Sequence, residues 1–141
     1  MDLDHALAFA GARSQGVLVT LGADGRPQLS NVVYQADGEG TVRVSVTDTR
    51  VKTRNLRRDR RASLYVVGDT FWAYVVLDGT AELTPVAADP GDPVVDELVA
   101  MYRAISGEHP DWDDYRRAMV ADHRLVVRLR PEHAYGILPG S

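Results

Sequence analysis

The sequence predicts a mainly β domain, an antiparallel barrel with peripheral helices, and three observations carry that expectation. Short runs that alternate branched with polar residues recur along the chain, separated by turn residues. Two segments nearer the C-terminus instead place their apolar residues at helical spacing. A further strand-like run follows them, so the helices read as an insertion before the last strand of a hairpin-linked sheet. With 141 residues and no repeat or low-complexity segment, the simplest organisation is one domain over 1–141.

In order, Leu3, Leu7 and Ala10 recur at helical spacing behind Asp2, a plausible cap, and define a short helix ending near Gly11. Gly16 to Leu21 is the first strand, and the Asp-Gly pair in LGADGRPQ folds it back on a second strand, Gln28 to Gln35. A third strand, Thr41 to Val46, leads into a basic helix starting near Arg50 with Asp48 or Thr49 as its cap. Arg61 to Val67 is the fourth strand, and Trp72 to Leu83 a long fifth one with Gly79 as a bulge. In TPVAADPGDP, Asp89 and Pro90 are expected as N-cap and first residue of the next helix. Val94, Val95, Leu98, Met101, Tyr102 and Ile105 mark its apolar stripe, and Gly107 ends it. Asp111 reopens a helix with Trp112, Tyr115 and Met119 on one side, and Arg124 to Arg130 returns as the last strand.

Composition removes several function classes. There is no cysteine, hence no disulfide, thiolate nucleophile or thiolate-bound metal. His5, His109, His123 and His133 lack metal-like spacing, so no metal is expected. The N-terminus has no signal-peptide pattern and no apolar run approaches a membrane span, so the expected setting is cytoplasmic, away from membranes. The net charge of -4 argues against general nucleic-acid binding. Neither a G-x-S-x-G elbow nor a P-loop is present. A chain without a reactive constellation of its own suits chemistry carried by a cofactor.

One stretch stands against the acidic background. Between Val44 and Ser63 lie six arginines and one lysine, namely Arg50, Lys52, Arg54, Arg57, Arg58, Arg60 and Arg61. They follow a strand and enter a helix N-terminus, where free N–H groups and the helix dipole favour an anion. Arg50 and Lys52 are expected in the first turn, where cations are disfavoured unless an anion lies between them. The bland alternative is a solvated basic helix paired with surface carboxylates, and it suits Arg57, Arg58, Arg60 and Arg61 better.

The segments GVLVTLGADGRPQLSNVVY, SVTDTRVKTRNLRRDRRASLYV, WDDYRRAM and HAYGILPG together resemble the pyridoxamine 5'-phosphate oxidase-like superfamily of split β-barrels, FMN-binding in type. The likeness is greatest to its actinobacterial branch of flavin/deazaflavin oxidoreductases, many of which use coenzyme F420. Its most specific part is G-x-P-x-x-x-x-x-x-Y followed by R-x-K-x-x-N-L-x-x-D-x-R. The resemblance implies a homodimer with the cofactor in a cleft between subunits. On this chain it implies Arg50 and Lys52 at the phosphate, Ser45 on the strand leading to them, and Asn55 at the motif's asparagine. It further implies Gln28, Leu29, Ser30 and Asn31 along the ring, with Trp72 at an aromatic position beside it.

The function expected from this resemblance is an F420-dependent oxidoreductase moving a hydride between the cofactor C5 and a small unsaturated or aromatic substrate. Water or a side chain such as Tyr34 would supply the proton, and no catalytic residue is nominated. The alternatives are an FMN-dependent pyridoxamine 5'-phosphate oxidase-like protein and a non-catalytic F420 carrier. Trp72, Tyr74, Trp112, Tyr115 and Tyr135 offer more aromatic surface than one core needs, which suits a subunit interface or, alternatively, the monomer's own packing.

Overall fold

The computed structural model describes residues 1–139, so the end of HAYGILPG, Gly140, lies outside the described residues. Six strands form a closed antiparallel barrel in the order β1-β2-β3-β6-β5-β4. They are β1 (Gln15–Leu21), β2 (Pro27–Ala36), β3 (Val42–Thr47), β4 (Arg61–Val67), β5 (Tyr74–Leu83) and β6 (Arg124–Ile137). The helices are α1 (Leu3–Gly11), α2 (Val51–Arg58), α3 (Pro93–Ser106) and α4 (Trp112–Ala121). The expected barrel with peripheral helices is therefore present. None of the described helices is long and apolar enough to cross a membrane.

Strand alternation decides which side chains fill the barrel. Leu18, Val42, Val44, Val46, Leu64, Val66, Val75, Leu77, Leu125, Val127 and Leu129 point inward and are buried. Each such side chain contributes roughly 1.5–3 kcal/mol on leaving water. Helix α1, with Asp2 accepting from the N–H groups of Asp4 and His5, adds Ala6, Phe9 and Ala10 to the same core. Gly79 is the expected bulge: the β5–β6 register shifts between Asp78 and Gly79, where a Cβ would collide with the Arg130 carbonyl.

Beyond shifts of one residue, two helix starts, one strand start and one strand end differ from expectation. The last is that of β6, which runs on to Ile137 rather than stopping at Arg130, pairing with β5 along that length. Helix α3 begins at Pro93 behind Asp92, not at Pro90 behind Asp89. A residue preceding proline is pushed out of the α region, so a helix begun at Pro90 would break at Asp92, which is extended at φ -64, ψ 149. Helix α2 is capped by neither Asp48 nor Thr49; Arg50 itself is the N-cap and makes no side-chain cap bond. Strand β5 starts at Tyr74, because Trp72 belongs to the preceding turn.

The outer surface of the β3–β6 ladder positions the site. Cross-strand pairs there are Arg43 with Arg128, Ser45 with Val126, and Thr47 with Arg124. Helix α3 lies over this surface, burying Val94, Val95, Leu98 and Met101 against Val126, with Tyr115 and Met119 of α4 alongside. The helical insertion thus roofs one wall of the barrel.

Candidate functional site

Under that roof is a cleft of about 590 Å³. Its strand side comes from Asn31, Val32 and Val33 of β2 and Ser45, Val46 and Thr47 of β3. Arg50 and Lys52 enter from the start of α2, and Arg124 from the start of β6. The helical wall is Leu98, Met101, Tyr102, Ile105, Ser106, Tyr115 and Met119. Among the described residues, three cations and no carboxylate line this space.

The local sequence explains why α2 starts here. The Thr53 hydroxyl donates to the Thr47 carbonyl at 2.8 Å, and Leu56 is buried in the barrel core. These contacts pin the first turn beside the end of β3. No side chain caps the helix, so its first-turn N–H groups remain available to an anion. Burial, then the Arg50 and Arg124 charges, hold the Lys52 ammonium below its ordinary pKa. Arg124 Nε is buried without a hydrogen-bond partner, and its guanidinium approaches the Ser45 hydroxyl at 3.5 Å. A phosphate-bearing group fits the helix start, since it would satisfy the free N–H groups and the charges of Arg50 and Lys52 together.

Among the sequence-nominated residues, Asn31, Ser45, Arg50 and Lys52 line the cleft. Gln28, Leu29, Ser30, Asn55 and Trp72 do not. Asn55 is buried and donates to the Thr20 hydroxyl at 3.1 Å while accepting from Arg58 at 3.1 Å. Thr20 donates to Gln28 at 3.0 Å, and the Gln28 amide donates to the Ser30 hydroxyl at 2.9 Å. That chain ties α2 to β1 and β2. Leu29 is 61% exposed on the outer sheet face, and Trp72 is 75% exposed and edge-on to Phe71. Tyr34 is no proton source for the cleft: it is fully buried, donates to the Ala10 carbonyl at 2.6 Å, and burial pushes its hydroxyl up to about 12.

The rest of the basic run is largely engaged elsewhere. Arg57 pairs with Asp48, Arg61 with Asp59, and Arg58 donates to the Leu21 carbonyl. Sequence reasoning overlooked Arg124, whose place beside Thr47 depends on a strand pairing some eighty residues apart in the chain. The apolar stripe of α3 was visible in sequence, but its facing a charged cleft was not.

A family model described as pyridoxamine 5'-phosphate oxidase matches residues 3–137. The chain belongs to that family. Among solved structures, it is similar to a conserved hypothetical protein from Mycobacterium tuberculosis at 24% identity and TM-score 0.71, covering 95% of this chain and 82% of that one. A structure named as an F420 reductase is similar at 22% identity and TM-score 0.70, covering 91% and 94%. A heme-binding protein from Mycobacterium smegmatis is similar at 25% identity and TM-score 0.72, covering 99% of this chain but 55% of that one. The first two likenesses establish the shared split-barrel fold. Membership of the oxidase family supports flavin-type oxidoreductase chemistry.

Proposed function

We propose that this family member is an F420-dependent oxidoreductase whose cofactor phosphate lies between Arg50 and Lys52. The observation that carries the reading is the acid-free cluster of cations at an uncapped helix start, opening into an apolar-walled cleft. When bound, the deazaflavin supplies hydride transfer at C5 to an unsaturated or aromatic substrate. The chain's own task is to anchor the phosphate, hold both partners at contact distance and exclude water. Arg50 offers a planar fork and Lys52 a compact charge, two complementary ways to grip one phosphate. Asn31, on the strand side of the cleft, supplies an amide for a polar ring edge.

A homodimer completes this reading. Leu29, Val33, Val67, Phe71, Trp72, Tyr135 and Ile137 are exposed on or beside the outer face of the strands β2, β1, β4, β5 and β6. An apolar face of this kind suits a second copy. The groove lined by Val17, Tyr65 and Val67 shares Asn31, Val32 and Val33 with the cationic cleft, so the cleft borders the face. Trp72, absent from its own cleft wall, would approach the ring across the subunit boundary. Trp112 and Tyr115 are instead absorbed by packing with Tyr102 and His109.

Titrating the protein with F420 and with FMN at two salt concentrations, followed by tryptophan quenching, tests the cofactor. Preferential F420 binding with turnover of an acceptor is expected. Preference for FMN assigns the chain to flavin chemistry, binding without turnover makes it a carrier, and binding of neither overturns the site. A concentration-independent monomer in sedimentation would sink the shared cleft.

A further inference from the structure

The apolar helical wall and Arg124 have no part in gripping the phosphate, yet they meet. Arg124 belongs to β6, separate from the helix start that carries Arg50 and Lys52. Its neighbours are Ser45 on one side and, on α4, Tyr115, whose hydroxyl feels its charge. Beyond Tyr115 the wall is Leu98, Met101, Tyr102, Ile105 and Met119. The Tyr115 hydroxyl has its proton committed to the Leu98 carbonyl at 3.1 Å, so it has no donor left for an anion.

The position of Arg124 is set by the backbone. His123 turns the chain out of α4 in the left-handed region at φ 53, a conformation uncommon for a residue other than glycine. Its carbonyl accepts from the Asp48 N–H at 3.0 Å, and the Arg124 carbonyl accepts from the Ala87 N–H at 2.8 Å. These bonds hold the base of the side chain beside the loop that carries Arg50. Among the described residues no acid lines the cleft, and Nε is buried within the protein without a partner. A ligand in the cleft would meet the terminal nitrogens, whose partner among the described residues is the Ser45 hydroxyl at a long 3.5 Å, so the guanidinium keeps donors for an acceptor from outside the chain.

One phosphate already has a fork and a point charge in Arg50 and Lys52. A third cation adjoining an apolar wall calls for a second anionic group on an apolar body. We infer that the substrate is an apolar or aromatic carboxylate, its acid group held by Arg124 and its body lying along the α3–α4 wall. This rests on the reading that Arg50 and Lys52 take the cofactor phosphate. Guanidinium and carboxylate match as planar forks, and the cleft is of a size that holds a small organic ligand. The Lys52 ammonium, destabilised by burial and by both arginines, is a further sign that the free cleft carries more positive charge than it neutralises.

The test compares 2-naphthoate with its methyl ester, the same ring system with and without the charge, by tryptophan quenching on the intact protein. The acid is expected to bind more tightly than the ester, and Arg124→Gln to erase a difference of roughly ten- to a hundred-fold. Arg124→Lys, which keeps the charge and loses the fork, should retain part of it and serves if the Gln variant folds poorly. Met119→Ser should weaken acid and ester alike. Equal affinity for acid and ester, or an Arg124→Gln effect on FMN or F420 as large as that on naphthoate, overturns the inference and leaves the phosphate site intact. Failure of the phosphate reading appears separately, as equal affinity for FMN and riboflavin and for F420 and its phosphate-free riboside, and overturns both.

Discussion

The outer surface of the β3–β6 ladder carries two sets of cations that the fold treats in opposite ways. At one end Arg43 and Arg128 sit directly opposite each other. Glu97, brought down by α3, bonds both: Arg43 Nε at 2.9 Å and Arg128 Nε and Nη2 at 2.9 and 2.5 Å. Asp37 and Glu82 complete the balance. At the other end Arg50, Lys52 and Arg124 gather around Ser45 and Thr47 with no acid among the described residues of the lining. The same two strands and the same helix thus build one neutralised cluster and one that is not. Like charges brought together without a counter-charge cost stability, so the second end is where a ligand is expected and the first is where α3 is fastened.

The largest effect is expected at the balanced end. Glu97→Ala would leave Arg43 and Arg128 facing each other uncompensated and should lower stability by about 3 kcal/mol in urea unfolding. A negligible change would show that the network is ornamental. At the unbalanced end, Arg50→Ala and Lys52→Ala should each weaken binding of the phosphate-bearing cofactor by roughly 1.5–3 kcal/mol while leaving the urea midpoint nearly unchanged. Loss of stability with intact affinity would reverse the assignment of the two ends. Ser45→Asp makes the second end resemble the first. It should raise the stability of the free protein by about 0.5–1 kcal/mol and weaken anion binding, and a destabilised variant would argue against excess positive charge there.

The smallest effect is on pH. Lys52 has its pKa depressed in the folded protein, chiefly by burial, so between that value and the ordinary lysine value of 10.5 the unfolded chain binds more protons. Stability of the free protein should therefore rise with pH across that alkaline window, while cofactor affinity falls as the ammonium is lost. Lys52→Arg should flatten both trends, and an unchanged alkaline profile in that variant would remove Lys52 from the titration. Glu97 has the opposite sign. Its pKa is depressed by Arg128 first, so its contribution is present above the ordinary carboxylate value of 4.5 and is lost as pH falls through the folded value.

Much of this architecture can be read from the residues, because its signals are local. Alternation in Val42 to Thr47 and Arg61 to Val67, the Asp2 and Asp111 caps, and the Gly79 bulge each depend on a few neighbouring positions. Even the misplaced start of α3 had its signal, since Asp92 precedes Pro93 and local sterics disfavour a helix through it. The helix start bearing Arg50 and Lys52 was readable for the same reason: strand, loop and basic helix are contiguous in the chain.

Only the tertiary structure decided which of those charges remain unmatched. Arg57 and Arg61 are neutralised within the basic stretch or its loop, by Asp48 and Asp59, whereas Arg43 is neutralised by Asp37 nearby and by Glu97 from the distant α3. Arg124 joins Arg50 and Lys52 because β6 crosses the sheet to pair with β3. The sequence determined by itself the strands, the helices and the stretch where an anion belongs, since propensity, capping and charge density act over a few residues. The barrel's closure determined the cleft, because charge balance and burial depend on contacts between segments far apart in the chain.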